Sequence, residues 1–348
     1  VRCLVTGITG FVGGALAREL VARGHDVVGM LRVGRAGAGI EGVALVEGEL
    51  GDPDPIARAA DGCEVIFHCA GIASPRAHRL ALQWVNVAGT ENVVNAAREV
   101  GVRRVVYVSC ADVSLINADR IHWGEGRVVT QTPLDWHART KLLAEEVALS
   151  ASRQKLEVTA LRPAWLWGPG DHTTLPSLCL EAANGGVRLH GSGANLFAVL
   201  YIDNLVAALI SAATAKNAPG NAYYVADTDV LTAREFFDQL SQACGLSSPR
   251  RGGFELDLAL AWWRERFGDN VGLVSNVVRR GRGTLFDVQA AARDLDFAPR
   301  VSVEAGMGAL REWVQAQGGP TAVAKLLRPH VDAASVEQQM RHADAHAT

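Results

Sequence analysis

Lysine is scarce in this 348-residue chain: of 34 basic residues only four are lysines, at 141, 155, 216 and 325. Tyrosine is equally sparse, with four residues (107, 201, 223 and 224). Acidic residues slightly outnumber basic ones, giving a net charge of -3. Such a balance has no electrostatic footprint for nucleic acid or a membrane surface. No apolar run reaches membrane-spanning length, and the first strand starts at the first residues, so neither a transmembrane helix nor a signal peptide is expected. Cys3, Cys63, Cys69, Cys110, Cys179 and Cys244 are scattered without close metal-ligand spacing. They read as reduced, buried thiols of a cytoplasmic protein with no metal site. His342 and His346 have i, i+4 spacing, but no third ligand accompanies them and their terminal position favours fraying. Repeats and low-complexity tracts are absent.

Apolar residues, at 49%, and charged residues, at 20%, describe a globular protein. Its length allows one large core, or one large domain with a smaller one built on it. The organising stretch is Val5 to Gly13, between a short apolar strand (Arg2 to Val5) and an amphipathic helix (Phe11 to Arg23). Gly7 permits a tight turn, Gly10 lets a pyrophosphate approach the backbone, and Gly13 lets the helix pack on the strand. The helix start then offers N–H groups and a favourable dipole to phosphates. Strand before and helix after is the context a dinucleotide site requires.

The second strand, Asp26 to Leu31, ends where NAD-binding chains place an acid for the ribose hydroxyls. Here Leu31 fills that slot, with Arg32 and Arg35 beyond it, which favours the 2′-phosphate of NADP(H) over NAD(H). Further strands are expected at Val43 to Val46, Glu64 to Cys69, Arg104 to Ser109 and Glu157 to Leu161. In an open parallel sheet ligands bind beyond the C-terminal edge, so Ser109, Cys110 and Ser114 are placed for chemistry by topology. Leu115 to Pro133 reads as a long irregular segment. The helix from Leu134 to about Ser152 carries His137 and Lys141 one turn apart on one face. Later helices are expected near Leu175 to Asn184, Asn204 to Ala213, Thr232 to Cys244, Leu256 to Phe267 and Val303 to Gln317. Short strands are expected at Ala198 to Ile202 and Ala222 to Val225.

Together these pieces resemble an extended short-chain dehydrogenase/reductase, of the epimerase/dehydratase or 3-beta-hydroxysteroid dehydrogenase type. The resemblance covers roughly residues 1 to 317. It rests on Thr6-Gly7 through Gly13, on Asn86 with Gly89-Thr90, and on Leu161-Arg162-Pro163 through Gly168-Pro169-Gly170-Asp171. Tyr201-Ile202-Asp203-Asn204 and Ala291 to Pro299 add to it. It implies a Rossmann-type doubly wound α/β fold with a smaller C-terminal α/β substrate lobe. The nucleotide domain would span 1–168, with its sheet completed from 195–230, the lobe 169–317, and a tail 318–348. It also implies a homodimer formed through two helices per subunit. The cofactor would meet Thr6, Gly7, Thr9, Gly10, Phe11, Val12, Gly13, Arg32, Arg35, Glu49, Leu50, Cys69, Ala70, Gly71, Asn86, Lys141 and Pro163.

The chain departs from the family where protons move. The family pairs Tyr and Lys as YxxxK, aided by Ser or Thr after strand five. Lys141 is present, but the Tyr position is His137 and the Ser position is Cys110, with Ser109 and Ser114 as neighbouring hydroxyls. Burial and Lys141 should lower the His137 pKa and keep the ring neutral. Three readings follow. The chain is an NADP(H)-dependent reductase of a small-molecule ketone, with His137 as acid. Or it runs non-redox epimerase, dehydratase or cyclase chemistry, with His137, Asp112 or Asp135 moving protons. Or it is a nucleotide-binding sensor without catalysis. Trp123, Trp136, Trp165 and Trp167, with the Leu256 to Trp263 helix, suggest an aromatic, apolar pocket for an acyl, polyketide-like or steroid-like ketone. Plain core packing explains each Trp as well, so a nucleotide sugar stays open.

Overall fold

A computed structural model describes residues 1–34, 39–127, 131–152, 156–268 and 271–327. Arg35 and most of the tail, including His342 and His346, lie outside these. The chain opens with β1 (Arg2–Thr6), α1 (Phe11–Ala22), β2 (Asp26–Leu31), β3 (Val43–Glu47), α2 (Pro53–Ala60) and β4 (Val65–His68). Next, α3 (Arg79–Leu82) runs through a π-helical turn (Gln83–Ala88) into α4 (Gly89–Glu99). After β5 (Arg104–Val108) come a 3-10 turn (Ala111–Ser114), β6 (Arg120–Trp123), α5 (Trp136–Ser150), β7 (Glu157–Pro163) and β8 (Trp165–Trp167). The second half holds α6 (Thr174–Ala183), β9 (Arg188–Leu189), β10 (Val199–Tyr201), α7 (Ile202–Ala212), β11 (Ala222–Val225) and α8 (Ala233–Cys244). It closes with β12 (Arg250–Arg251), α9 (Phe254–Phe267), α10 (Leu273–Gly281), β13 (Thr284–Phe286), α11 (Gln289–Leu295), α12 (Val303–Ala316) and α13 (Pro320–Ala324).

Seven parallel strands form one sheet in the order β11-β7-β5-β4-β1-β2-β3. The order reverses beside β1, and the crevice there is where such sheets hold ligands. Alternation along β1 builds both faces: Cys3 and Val5 enter one apolar cluster with Leu16, Leu20 and Leu209. Leu4 enters the other, with Ile56, Val93 and Ala144. Helices α1 and α7 thus cover one face, and α2, α4 and α5 the other. β11, from the second half of the chain, completes the sheet beside β7. A third core, built on Leu178, Phe197, Phe236 and Leu310, belongs to the C-terminal lobe.

Three features differ from the sequence reading. The segment expected to be irregular contains β6, which pairs in parallel with β13 more than 160 residues on. A strand this short, with so distant a partner, leaves no local pattern to read. Trp165 and Trp167 are lobe core: Trp165 packs on Phe197 and Phe237, and Trp167 on Tyr201 and Phe236. Finally, α9 turns Asp257 and Ala261 inward and leaves Leu256, Leu260, Trp262, Trp263 and Phe267 exposed. Among the described residues no helix is long and apolar enough to cross a membrane.

Candidate active site

The glycine loop is shaped by contacts that a side chain would break. Gly7 has φ +70°, and a Cβ there would lie 2.8 Å from the Ala70 backbone. A Cβ on Gly13 would come within 2.3 Å of the Gly7 carbonyl oxygen, which itself accepts from the Gly10 N–H at 2.8 Å. Helix α1 begins with Gly10 at its N-cap, with no side-chain cap and no acid in its first turn. Its leading N–H groups therefore remain available to an anion. Thr9, Phe11 and Val12 are half-buried at this rim, and Phe11 and Val12 also pack against the lobe core.

Thr6 and Asn86 act on the site through other groups. Thr6 Oγ1 accepts from the Ala70 N–H at 3.1 Å and lies 2.8 Å from His68 Nδ1. His68 Nε2 is 3.0 Å from Thr90 Oγ1, whose hydroxyl donates to Asn86 O. With the Thr90 proton committed, Nε2 donates to Thr90, and the Thr6 hydroxyl is free to donate to Nδ1, an arrangement that suits a neutral ring. Burial, then the Lys141 charge, lowers the His68 pKa to about 3 in the same sense. Asn86 receives the Ile72 N–H at 2.8 Å and donates to Ile72 O and Thr140 Oγ1, both at 3.2 Å. It thereby pins the Gly71 loop to α5.

At the other nucleotide positions, Leu31 is buried and Arg32 exposed, so no carboxylate closes β2. Glu49 and Leu50 follow β3, and Leu50 packs on Gly89. Cys69, Ala70 and Gly71 follow β4, and Pro163 ends β7. Burial pushes the Cys69 thiol up to about 12.

The proton-handling positions meet at the end of β5. Lys141 Nζ donates to Val108 O at 2.5 Å, sits 4.3 Å from the Tyr107 ring centroid, and is 3.9 Å from where a Gly71 Cβ would be. Burial lowers its pKa to about 8. His137, on the same face of α5, is lowered to about 4, first by burial and also by Lys141, against the pull of Asp135. The ring is neutral at pH 7, and burial outweighs every charge around it. Burial also pushes the Cys110 thiol up to about 12, which holds it as the neutral thiol at pH 7. Ser114 is committed: its hydroxyl donates to Ala111 O at 2.9 Å and accepts from Arg120 at 3.2 Å. Ser109 differs, since its buried Oγ has no partner among the described residues. A buried hydroxyl without a partner costs stability and points to a polar group that arrives later.

Sequence reasoning missed Arg279. From α10 in the lobe, its Nε donates to Asp112 Oδ2 at 2.6 Å and its Nη2 to Asp135 Oδ2 at 3.0 Å. Asp135 also caps α5 through the Ala138 N–H at 2.8 Å. Despite burial, Arg279 foremost among its neighbours holds the Asp135 carboxyl below its ordinary range. Both aspartates are thus held in ion pairs with the one guanidinium. The only local signal was the Arg279-Arg280 pair inside an apolar stretch.

A doubly wound sheet, a bare glycine cradle and a lysine-bearing helix beside it define a dinucleotide-binding α/β protein of the extended short-chain dehydrogenase/reductase class. Residues 4–256 match the 3-beta hydroxysteroid dehydrogenase/isomerase family, to which the chain belongs. It is 33% identical to the 2-alkyl-3-oxoalkanoate reductase of Stenotrophomonas maltophilia, over 89% of this chain and 98% of that protein. It is 30% identical to the 3-beta-hydroxysteroid dehydrogenase of Mycolicibacterium neoaurum, over 93% of this chain and 96% of that one. Among solved structures it resembles MoeE5 in complex with UDP-glucose and NAD, with a TM-score of 0.73 and 22% identity. That likeness covers 92% of this chain and 100% of MoeE5, and concerns the fold. The family is one of oxidoreductases.

Proposed function

We propose that the protein is an NADPH-dependent ketoreductase of an apolar ketone, of acyl, polyketide-like or steroid-like type. One juxtaposition carries the reading: the glycine cradle and the Lys141-bearing helix meet at the same sheet edge, with Lys141 between Val108 O and Gly71. The bound nucleotide would supply the hydride. Residues 7 to 13 fit its phosphates, exposed Arg32 fits a 2′-phosphate, and Lys141 fits its ribose hydroxyls. Buried Leu31 at the end of β2 offers no acid to prefer NAD.

The proton has a different source from the one the family resemblance suggests. A ring lowered to about 4 is almost wholly neutral at pH 7, so His137 donates a hydrogen bond rather than a proton. Lys141, at about 8, is mostly protonated at pH 7 yet acidic enough to act. In this scheme Lys141 protonates the carbonyl oxygen as the alcohol forms and regains its proton from solvent. His137 and the unpartnered Ser109 hydroxyl orient the carbonyl. The names of the two curated relatives, an oxoalkanoate reductase and a hydroxysteroid dehydrogenase, support an apolar ketone over a nucleotide sugar. Trp136 and Leu143, exposed and seven residues apart on α5, suit a cytoplasmic homodimer joined through helices.

The test mixes the protein with NADPH and a panel of 3-oxoacyl and steroid ketones, following nicotinamide fluorescence and product mass. Oxidation of NADPH coupled to alcohol supports the proposal. Product without net nucleotide change would replace it by isomerase or dehydratase chemistry. Binding without turnover of any ketone would leave a sensor, and failure to bind either nucleotide would remove the cofactor assignment.

A further inference from the structure

Helix α9 carries more large apolar side chains than its packed side covers and leaves five of them exposed. Its inward side joins Asp257, Ala261 and Glu265 to the half-buried Phe254 and Leu258. Asp257 is buried, takes a bidentate pair from Arg188 (2.6 to 3.1 Å) and lies 2.8 Å from His190 Nδ1. Glu265 accepts the Val274 N–H at 3.0 Å, and Ala261 completes the packed side. Outward, Leu256, Leu260, Trp263 and Phe267 follow i, i+4, i+7, i+11 spacing and form one line along the helix. Their exposures are 62%, 50%, 59% and 66%. Trp262, also more than half exposed, lies to one side of this line beyond Arg266. Scattered exposed apolar residues need no explanation, but a contiguous aromatic and aliphatic stripe marks an interaction surface.

Charge identifies what the stripe meets. Among the described residues of 250–282 the exposed charges are Arg250, Arg251, Arg264 and Arg266 against Glu255, a net of +3 in a chain of net -3, while Arg279 and Arg280 are ion-paired inward. The acids Asp257 and Glu265 face inward, whereas Arg250, Arg251, Arg264 and Arg266 are exposed. Among the described residues these four arginines enter no ion pair. By helical spacing Arg264 and Arg266 flank the stripe on opposite sides. Tryptophan and phenylalanine between flanking arginines are the composition of a helix lying in a bilayer interface. The whole-chain charge, which argues against a membrane surface, averages this segment away.

We propose that α9 docks the substrate lobe, in plane, on an anionic lipid bilayer. Helix α10 packs against α9 and carries Arg279 into the active site, so the docked surface belongs to the same helical pair that borders the site. The proposal concerns location and stands whether or not the ketoreductase reading holds.

The test is flotation of the full chain with phosphatidylglycerol/phosphatidylcholine vesicles and with pure phosphatidylcholine vesicles. Wild type should float with the anionic vesicles, with a blue shift of tryptophan emission, and far less with the neutral ones. A Leu260→Ser/Trp263→Ser/Phe267→Ser variant alters only exposed side chains, so it should keep its far-UV circular dichroism and stop floating. Arg264→Gln/Arg266→Gln should weaken anionic partitioning on the order of 30-fold, at about fivefold for each arginine. Equal flotation with both vesicles overturns the anionic preference. Absence of flotation overturns the proposal, as does flotation that the triple variant retains. A dimer in light scattering that the triple variant splits assigns the stripe to a second copy instead.

Discussion

Arg279 on α10 and Asp112, two residues past Cys110, are joined at 2.6 Å across the boundary between the substrate lobe and the nucleotide domain. The same guanidinium holds Asp135, two residues before His137. One lobe residue therefore fixes both arms of the site: the turn after β5 and the start of α5. Arg120, its Nη2 3.9 Å from Asp112 Oδ1, adds a second cation beneath the turn.

Arg279→Ala should accordingly cost both stability and turnover. It leaves two mostly buried carboxylates without their shared cation, and breaking such a pair costs about 3 kcal/mol. A lower Tm is expected, together with a drop in kcat/KM of about 100-fold from lost alignment. Nucleotide affinity should be nearly unchanged, because Arg279 touches none of the glycine cradle. Arg279→Lys restores charge without the planar fork and should recover only part of the loss. Full activity in Arg279→Ala would disconnect the lobe from the chemistry.

Acid should destabilise the protein in two stages. His68 and His137 have folded pKa values of about 3 and 4, below the unfolded value near 6.5. The unfolded chain thus binds protons first, and stability falls as pH drops from about 6.5 towards 4. Asp135 is also held below its ordinary range, so its contribution is present above that range and lost as pH falls through it. Urea midpoints measured from pH 8 to 4 should therefore decline. His68→Gln, which can keep a donor and an acceptor without titrating, should flatten the first stage. An unchanged slope would show that His68 is not buried in its neutral form.

The Lys141 position sets the expected pH dependence of reduction. An acid with a pKa of about 8 is lost as pH rises through that value, so kcat/KM should fall above pH 8. It should stay flat from about pH 7 to 5, because His137 remains neutral there. Lys141→Ala should abolish turnover and weaken nucleotide binding. His137→Phe should lower turnover about 100-fold while sparing nucleotide affinity. If His137 were the acid instead, the profile would already be falling between pH 5 and 7.

What the residues disclosed by themselves tracks the range of the interaction. The glycine loop, the strands and the His137–Lys141 spacing are local, and each was legible from a few neighbouring residues. The C-terminal helices likewise fell within a few residues of their observed ends. The Arg279–Asp112 pair spans 167 positions, and α10 itself drew no notice among apolar residues. Pairing of β6 with β13 was invisible for the same reason. Asn86 was found through its motif, but its role in pinning Ile72 and Thr140 needs the fold. The exposed face of α9 is not legible because apolar content predicts burial, whereas this helix also buries Asp257 through distant Arg188.

The glycine cradle offers the sharpest separation of geometry from composition. Gly13 and Gly14 are adjacent in α1, and both are buried. A Cβ on Gly13 would stand 2.3 Å from Gly7 O and 2.8 Å from Gly7 C, so the loop or the helix must move. A Cβ on Gly14 would stand 3.2 Å from Ile8 O, a contact relieved by a small adjustment. Replacing a helical glycine by alanine also favours the helix by up to about 1 kcal/mol. Gly13→Ala should therefore lose nucleotide binding by at least about 100-fold in a nicotinamide fluorescence titration, as phosphate-facing N–H groups shift. Gly14→Ala should bind within a few-fold of wild type. Equal binding by the two variants would mean that the loop from Gly7 to Gly13 is not where the phosphates rest.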